Sequence, residues 1–200
     1  MHRTVIFDVG NVILPFDPMI ACRRLAPQCR LNAEDICRRI YETNLERRFE
    51  EGKIDGAAFA YGCREALGVN LSDQELRAIW VDMFVEDAEV SDIVREVKQR
   101  HPVLLLSNTN EWHWEYVMAK YPIITEIESH ILSYQVGCLK PDRRIFEAAA
   151  RHVDDISQTI FIDDMPHNVE GAQRFGMVGI LFESARRLSE QFQQLGISTG

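Results

Sequence analysis

Three acids, one lysine and a short run of amides and hydroxyls stand out as groups that could do chemistry together. Asp8 closes the apolar run VIF, Ser107-Asn108-Thr109-Asn110 follows VLLL, Lys140 precedes Pro141, and Asp163-Asp164 follows FI. Taken singly, each has an ordinary structural reading. An acid that ends a buried strand is a common turn former, Ser-Asn-Thr-Asn is a helix-start signal, and a lone lysine is usually a solvated charge. The combination is harder to explain as structure alone. Carboxylates brought close together raise one another's pKa values unless a cation sits among them. Magnesium suits such a set, because it takes hard oxygen ligands and commonly combines one or two carboxylates with substrate phosphate and water. Lys140 would add a positive charge for a phosphoryl group, and Ser107 and Asn108 would add neutral donors. Nucleophile, metal and donors for the equatorial oxygens make a sufficient kit for phosphoryl transfer. A carboxylate nucleophile passes through a mixed anhydride that water then hydrolyses, so the expected activity is that of a phosphatase.

The kit works only if the fold gathers it. Four apolar segments read as buried strands, Thr4 to Asp8, Val103 to Ser107, Thr159 to Asp163 and Val178 to Phe182, with His130 to Ser133 as a candidate for a further short one. Helix-like stretches between the later strands give the rhythm of an α/β fold, a doubly wound (Rossmann-like) parallel sheet. In such a sheet ligands bind at the carboxyl ends of the strands, which is where Asp8, Ser107 and Asp163 fall.

The first two strands lie too far apart in sequence for one crossover helix, and the interval holds no convincing strand. An inserted helical unit is expected at residues 16–87, leaving 1–15 and 88–200 as the core. Within it Asn32 can cap AEDICRRIYE, and Asp55 can cap GAAFAYGCREAL, which Gly68 ends. Ser72 with Glu75 forms a capping-box pattern ahead of LRAIWVDMF. A helix over Asp92 to Arg100 returns the chain to the core, and Pro141 marks the start of the helix RRIFEAAAR.

These residues match a family pattern. VIFDVGNVIL, LLLSNTN, GCLKPDRRIF and IFIDDMPHNVEGAQRFGM resemble, in that order, the four motifs of the haloacid dehalogenase-like (HAD) hydrolase superfamily. The helical insertion is similar to its small C1-type cap. The resemblance implies that Asp8 is the nucleophile and a magnesium ligand, with the Gly10 carbonyl and Asp164 as further ligands. It implies that Asp163 and Asn168 support the metal and its waters, that Ser107, Asn108 and Lys140 hold phosphate, and that Lys140 offsets the charge on Asp8. Dehalogenases of the superfamily attack carbon without a metal, and the Asp163-Asp164 pair favours a phosphatase over that alternative.

One position departs from the pattern. Most phosphatases of the superfamily carry a second aspartate two residues after the nucleophile as general acid and base, and here that position is Gly10. Glycine can present its carbonyl to a metal, but it cannot transfer a proton. Three readings follow. Substrates could have leaving groups that need little protonation, such as an anomeric sugar phosphate, and DVGNV resembles the subgroup of the α-D-glucose-1-phosphate phosphatases and the phosphatase domains attached to epoxide hydrolases. Alternatively Glu46, Glu50 or Glu51 supplies the proton, with Arg47 or Arg48 binding an anionic substrate tail, although LERRFEE also reads as an ordinary charged helix surface. The third is a binding or regulatory protein that keeps the fold without turnover, which the retained acids and lysine argue against. Trp112, His113 and Trp114 read as helix packing or as an entrance lining, and His167 as a group that could tune the acid pair or as an exposed loop histidine.

Composition excludes other classes. Of 200 residues, 22 are Lys or Arg and 31 Asp or Glu, giving a formal charge of -9 that repels a nucleic-acid backbone. Five cysteines, with no C-x-x-C pair, read as reduced thiols. No apolar run approaches membrane-spanning length, and Asp8 interrupts the N-terminal apolar stretch before it can resemble a signal sequence. A cytoplasmic monomer or homodimer acting on a small phosphorylated metabolite, a sugar phosphate foremost, with no nucleic-acid or membrane partner, is the expectation.

Overall fold

The apolar segments form one parallel sheet in the computed structural model, which describes residues 3–197. Its strands are β1 (Val5–Phe7), β2 (Val103–Ser107), β3 (Ser129–Leu132), β4 (Ile160–Asp163) and β5 (Val178–Leu181). They lie in the order β3-β2-β1-β4-β5, so the strand leading to Asp8 is central, between β2 and β4. Val5, Ile6 and Phe7 are fully buried, as a strand covered on both faces requires.

The strand bounds differ from the sequence reading in small ways that matter for the site. β1 stops at Phe7, so Asp8 is the first residue past its end, where its backbone N–H donates to Ile162 O at 2.9 Å. Thr159 belongs to the turn before β4, and Phe182 lies beyond β5. The short fifth segment is a full member of the sheet but begins one residue earlier, and Ser133 starts the next helix.

Helices α1 (Met19–Leu25), α2 (Ala33–Glu42), α3 (Leu45–Glu50), α4 (Gly56–Leu67) and α5 (Asp73–Val81) fall between β1 and β2. Their starts are chemical: Asn32 accepts from Asp35 N at 2.8 Å, Asp55 from Ala58 N at 2.8 Å, and Ser72 with Glu75 completes a capping box. α5 ends at Val81, which leaves Met83 outside the helix that LRAIWVDMF suggested.

The rest of the chain carries α6 (Ala88–Lys98), α7 (Glu111–Lys120), α8 (Pro122–Thr125), α9 (Ser133–Val136), α10 (Arg143–Ala150), α11 (Pro166–Phe175) and α12 (Ala185–Leu195). α6 starts before Asp92 because Asp87 is its cap, accepting from Val90 N at 3.1 Å. Pro141 does not open α10. Asp142 caps it, accepting from Arg144 N at 2.9 Å, so Lys140 and Pro141 stand in the preceding loop. Among the described residues no helix is long and apolar enough to cross a membrane.

The core has three parts. Phe7, Val94, Leu105 and Phe192 belong to one cluster at the sheet, while Ile6, Leu106, Phe146 and Phe161 belong to another, as the period-two alternation of side chains along a strand requires. The third lies within α1 to α5, around Ile36, Ile40, Phe49, Phe59 and Trp80, and it includes Trp112 from α7. Trp112 meets Phe49 and Phe59 edge-on, with ring centroids 5.5 and 5.6 Å apart. At that junction Gly56 N donates to Glu111 Oε1 at 2.8 Å. A Cβ on Gly56 would lie 2.1 Å from Trp112 Nε1, so the close approach requires glycine.

The chain leaves and re-enters the sheet region through two adjacent passes. Phe16 and Phe84 form an antiparallel bridge with rings 5.6 Å apart, and Val85 N donates to Pro15 O at 2.9 Å.

Candidate active site

The central strands end in a ring of charge. Lys140 Nζ lies 2.8 Å from Asp8 Oδ1 and 2.7 Å from Asp163 Oδ2, and donates to Leu106 O at 3.0 Å. All three side chains are buried. Carboxylate oxygens of Asp8, Asp163 and Asp164 lie within 4.8 Å of one another, so the fold brings together the acids and the lysine that the sequence singled out.

The local backbone explains this convergence. Asp8 Oδ1 accepts from Val9 N at 2.6 Å, which folds the carboxylate against the strand end. Asp163 is held on all sides: Oδ1 accepts from Met165 N at 2.9 Å and from Asn168 Nδ2 at 3.0 Å, while Oδ2 accepts from Lys140. Asn168, in the first turn of α11, has its Oδ1 buried and unpartnered. An orphaned buried acceptor is costly unless something satisfies it.

Electrostatics point the same way. Burial pushes the Asp8 carboxyl up to about 7; Lys140 opposes the rise and Asp163 adds to it. Asp164 is also raised, by its half-burial first and Asp163 next, with Lys140 and Asn11 opposing. Burial pulls the Lys140 ammonium down, but Asp8 and Asp163 outweigh it and hold the group above its ordinary value. One lysine among three close carboxylates leaves negative charge uncompensated. An all-oxygen donor set with an unpartnered acceptor behind it fits a hard divalent cation.

The remaining sequence candidates divide. Ser107 is buried and lines a narrow space with Asn108, Glu46, Glu50 and Trp114. Asn108 faces the Lys140 backbone in both directions, its Oδ1 accepting from Lys140 N at 2.7 Å and its Nδ2 donating to Lys140 O at 3.3 Å. Its side chain is therefore occupied in fixing the lysine loop. Glu50 lines a pocket of about 160 Å³ together with Asp8, Gly10, Lys140, Asp164 and Asn168. Burial, then the Glu46 carboxylate, pushes Glu50 up to about 8, with Lys140 opposing. Arg47 does not reach the site: it is exposed and pairs with Glu51 at 3.2 Å. A larger open hollow of about 560 Å³, beside Pro27, Arg39 and Gly68, holds none of these acids.

Sequence reasoning missed Asn11, Phe16 and Met165, which share the same pocket. Asn11 has φ +54 and its Oδ1 accepts from Phe16 N at 3.2 Å. Asparagine tolerates that conformation better than most residues, and DVGN before an apolar run was the available signal. The turn brings Phe16 back over Gly10, where a Cβ would lie 2.9 Å from the Phe16 ring. The space beside position 10 is filled by an aromatic ring.

His113 packs rather than reacts. Its Nε2 donates to Trp80 O at 3.3 Å and its Nδ1 accepts from Asn110 Nδ2 at 3.1 Å. Burial pushes the imidazole down from 6.5 to about 4. The unfolded chain therefore takes up this proton first as pH falls. The stability it contributes is whole above about pH 6.5 and is lost towards pH 4, by about 3 kcal/mol. Denaturant unfolding of the wild type across that range is expected to show this loss, and a His113→Gln variant to lack most of it. Equal pH slopes for the two would contradict the assignment. Trp112 is helix packing, as described above, while Trp114 also borders the narrow space beside Ser107.

Comparison with known proteins agrees with the geometry. The sesquiterpene phosphatase astK of Aspergillus oryzae is 26% identical over 208 residues, covering 96% of each chain. A HAD family enzyme of Bacteroides thetaiotaomicron is 26% identical with a TM-score of 0.85, covering 96% of this chain and 98% of that one. The same enzyme has been crystallised with magnesium and inorganic phosphate, and in that state superposes with a TM-score of 0.82 at 26% identity, covering 96% of this chain and 100% of the other. A predicted HAD-like family hydrolase of Porphyromonas gingivalis shares the fold, with a TM-score of 0.83 at 24% identity over 99% of both chains. The family described as haloacid dehalogenase-like hydrolase matches residues 2–176. The chain belongs to the haloacid dehalogenase-like hydrolases.

Proposed function

We propose that this protein is a magnesium-dependent phosphatase that hydrolyses a small phosphate monoester through a phosphoryl group carried on Asp8. The observation that carries the reading is the set of three carboxylates within 4.8 Å at the strand ends, with Lys140 bridging two of them. Asp8, Asp164 and the Gly10 carbonyl would hold the metal, with Asp163 and Asn168 behind them. Magnesium, when bound, offsets the repulsion between an anionic nucleophile and an anionic phosphoryl group.

The protein's own residues do the rest. Asp8 attacks phosphorus, and the Lys140 ammonium accompanies it and faces the incoming phosphoryl oxygens. Ser107 offers its hydroxyl to one of these oxygens, and Asn108 keeps Lys140 in register from behind. Residues 16–87 act as a cap over a core made of 1–15 and 88–200, and the cap shields the reacting groups from bulk water.

Two leaving-group classes fit this site. Glycine at position 10 suits an anomeric sugar phosphate, which needs little proton help. Phe16 and Met165 are among the exposed large apolar side chains and both line the pocket, with Phe84 against Phe16. Together with the sesquiterpene phosphatase relative, they favour an apolar alcohol. Phosphate release should be measured over anomeric sugar phosphates, short alkyl phosphates and prenyl phosphates, with magnesium and with chelator. The expected result is magnesium-dependent release that is fastest for the apolar esters. Release unaffected by chelation would overturn the metal assignment, and sugar phosphates turned over fastest would overturn the apolar preference.

A further inference from the structure

We propose that Glu50 is the proton donor and acceptor of the hydrolysis, supplying from α3 what position 10 cannot. The inference rests on the phosphatase reading above. Gly10 has no side chain and the Phe16 ring lies beside it, so for an alkyl leaving group the proton comes from another element.

Elimination among the pocket acids leaves one candidate. Asp8 is the nucleophile. Asp163 is saturated by Lys140, Met165 N and Asn168, and Asp164 faces the cation position with Asp8 and Asp163. The three glutamates of α3 and its end also separate. Glu51 is ion-paired to Lys53 at 2.5 Å and to Arg47 at 3.2 Å. Glu46 is hydrogen-bonded to Tyr41 and borders the narrow space beside Ser107 without lining the pocket that holds Asp8. Glu50 lines both. No hydrogen bond among the described residues engages its carboxyl, which leaves it free for a substrate oxygen.

Its placement is fixed by the backbone. Glu50 O accepts from Ser133 Oγ at 2.7 Å, and the same hydroxyl receives Thr109 N at 2.9 Å. One side chain thus ties α3 to the loop that follows β2. Two residues on, Gly52 has φ +62, and a Cβ there would lie 2.1 Å from Tyr134 O. On the other side Phe49 stacks on Phe59 at 4.8 Å. Burial favours the protonated carboxyl near neutrality, which is the form a general acid needs.

The steps balance. An Asp8 oxygen forms a bond to phosphorus as the ester P–O bond breaks, and the departing alkoxide oxygen takes the Glu50 proton and leaves as the alcohol. Water then adds to the phosphorus of the Asp8 phosphoryl group and gives one proton to the Glu50 carboxylate. The bond to Asp8 breaks, releasing phosphate and restoring both carboxyl groups. With Glu50 in this role, alkyl leaving groups are accessible despite Gly10.

The test compares wild type, Glu50→Gln, Glu50→Asp and Glu51→Gln on propyl phosphate and on p-nitrophenyl phosphate, with magnesium. p-Nitrophenolate leaves without a proton. For Glu50→Gln, single-turnover cleavage of the propyl ester should fall by about 10²- to 10⁴-fold, with a much smaller loss on the aryl ester. The aryl ester should then show a burst of one equivalent of nitrophenolate and acid-trappable phosphoenzyme, because the second step lacks its base. Glu50→Asp should recover part of the alkyl rate, and Glu51→Gln should match wild type. A loss by Glu50→Gln that is equal for both esters and without a burst, or no loss at all, overturns the role of Glu50 while leaving the phosphatase reading intact. Failure of the wild type on both esters and on the metabolite panel overturns the phosphatase reading, and this role with it.

Discussion

Replacing Asp8 by Asn is expected to lower phosphate release by about 10⁴-fold or more, because the proposed nucleophile is gone. The same change is expected to stabilise the magnesium-free protein. The Asp8 carboxyl is raised from 3.8 to about 7, so the folded state resists its ionisation more than the unfolded chain does. With a raised folded pKa, stability is whole below pH 3.8 and is lost as pH rises through 7. Asparagine mimics the protonated form and escapes that loss. Chelator-treated protein melted at pH 4 and pH 8 should show Asp8→Asn equal to wild type at the lower pH and several degrees above it at the higher. Release persisting at the wild-type rate would remove Asp8 from the chemistry, and a variant no more stable at pH 8 would remove the electrostatic account.

Lys140→Met is expected to act in the opposite sense on stability. Two carboxylates touch this ammonium at 2.8 and 2.7 Å, with Asp163 fully buried. Deleting one partner of a buried charge cluster costs about 3–5 kcal/mol. Urea unfolding in chelator should reveal that loss, and added magnesium should return part of it, since a divalent cation relieves the same repulsion. Phosphate release should stay near zero even where magnesium restores the fold, because the charge facing the phosphoryl oxygens is missing. A Lys140→Met protein as stable as wild type in chelator would show that the lysine does not offset the acids.

How much of this could be read from the residue order depended on how local the cause was. The convergence of Asp8, Asp163 and Asp164 was legible because strand ends in a parallel sheet meet whatever covers them, whereas Asn168, in the first turn of α11, entered only through the family resemblance. The caps at Asn32, Asp55 and Ser72 were legible because each acts within three residues. β3 was only suggested, since four residues give too short a period to identify a strand alone. The pairing of the Asn108 amide with the Lys140 backbone spans 32 positions of sequence. Such a long-range pairing leaves no trace in composition. Glu50 and Arg47 stand three residues apart on one short helix and fare differently. Only the way α3 lies on the loop after β2 decides that the first enters the pocket and the second meets solvent. Phe16 was read as the first residue of the insertion, and its place over Gly10 depends on a left-handed turn at Asn11.

The paired passes at Phe16 and Phe84 bear on how the helical unit is held. Two separate tethers would let the helical unit swivel freely, whereas here the two connections are bridged into one ribbon, with Val85 N bonded to Pro15 O. The same helices are held a second time where Glu50 O accepts from Ser133 Oγ at 2.7 Å and Gly56 N donates to Glu111 Oε1 at 2.8 Å, so α1 to α5 are clasped at two sides rather than hung from one.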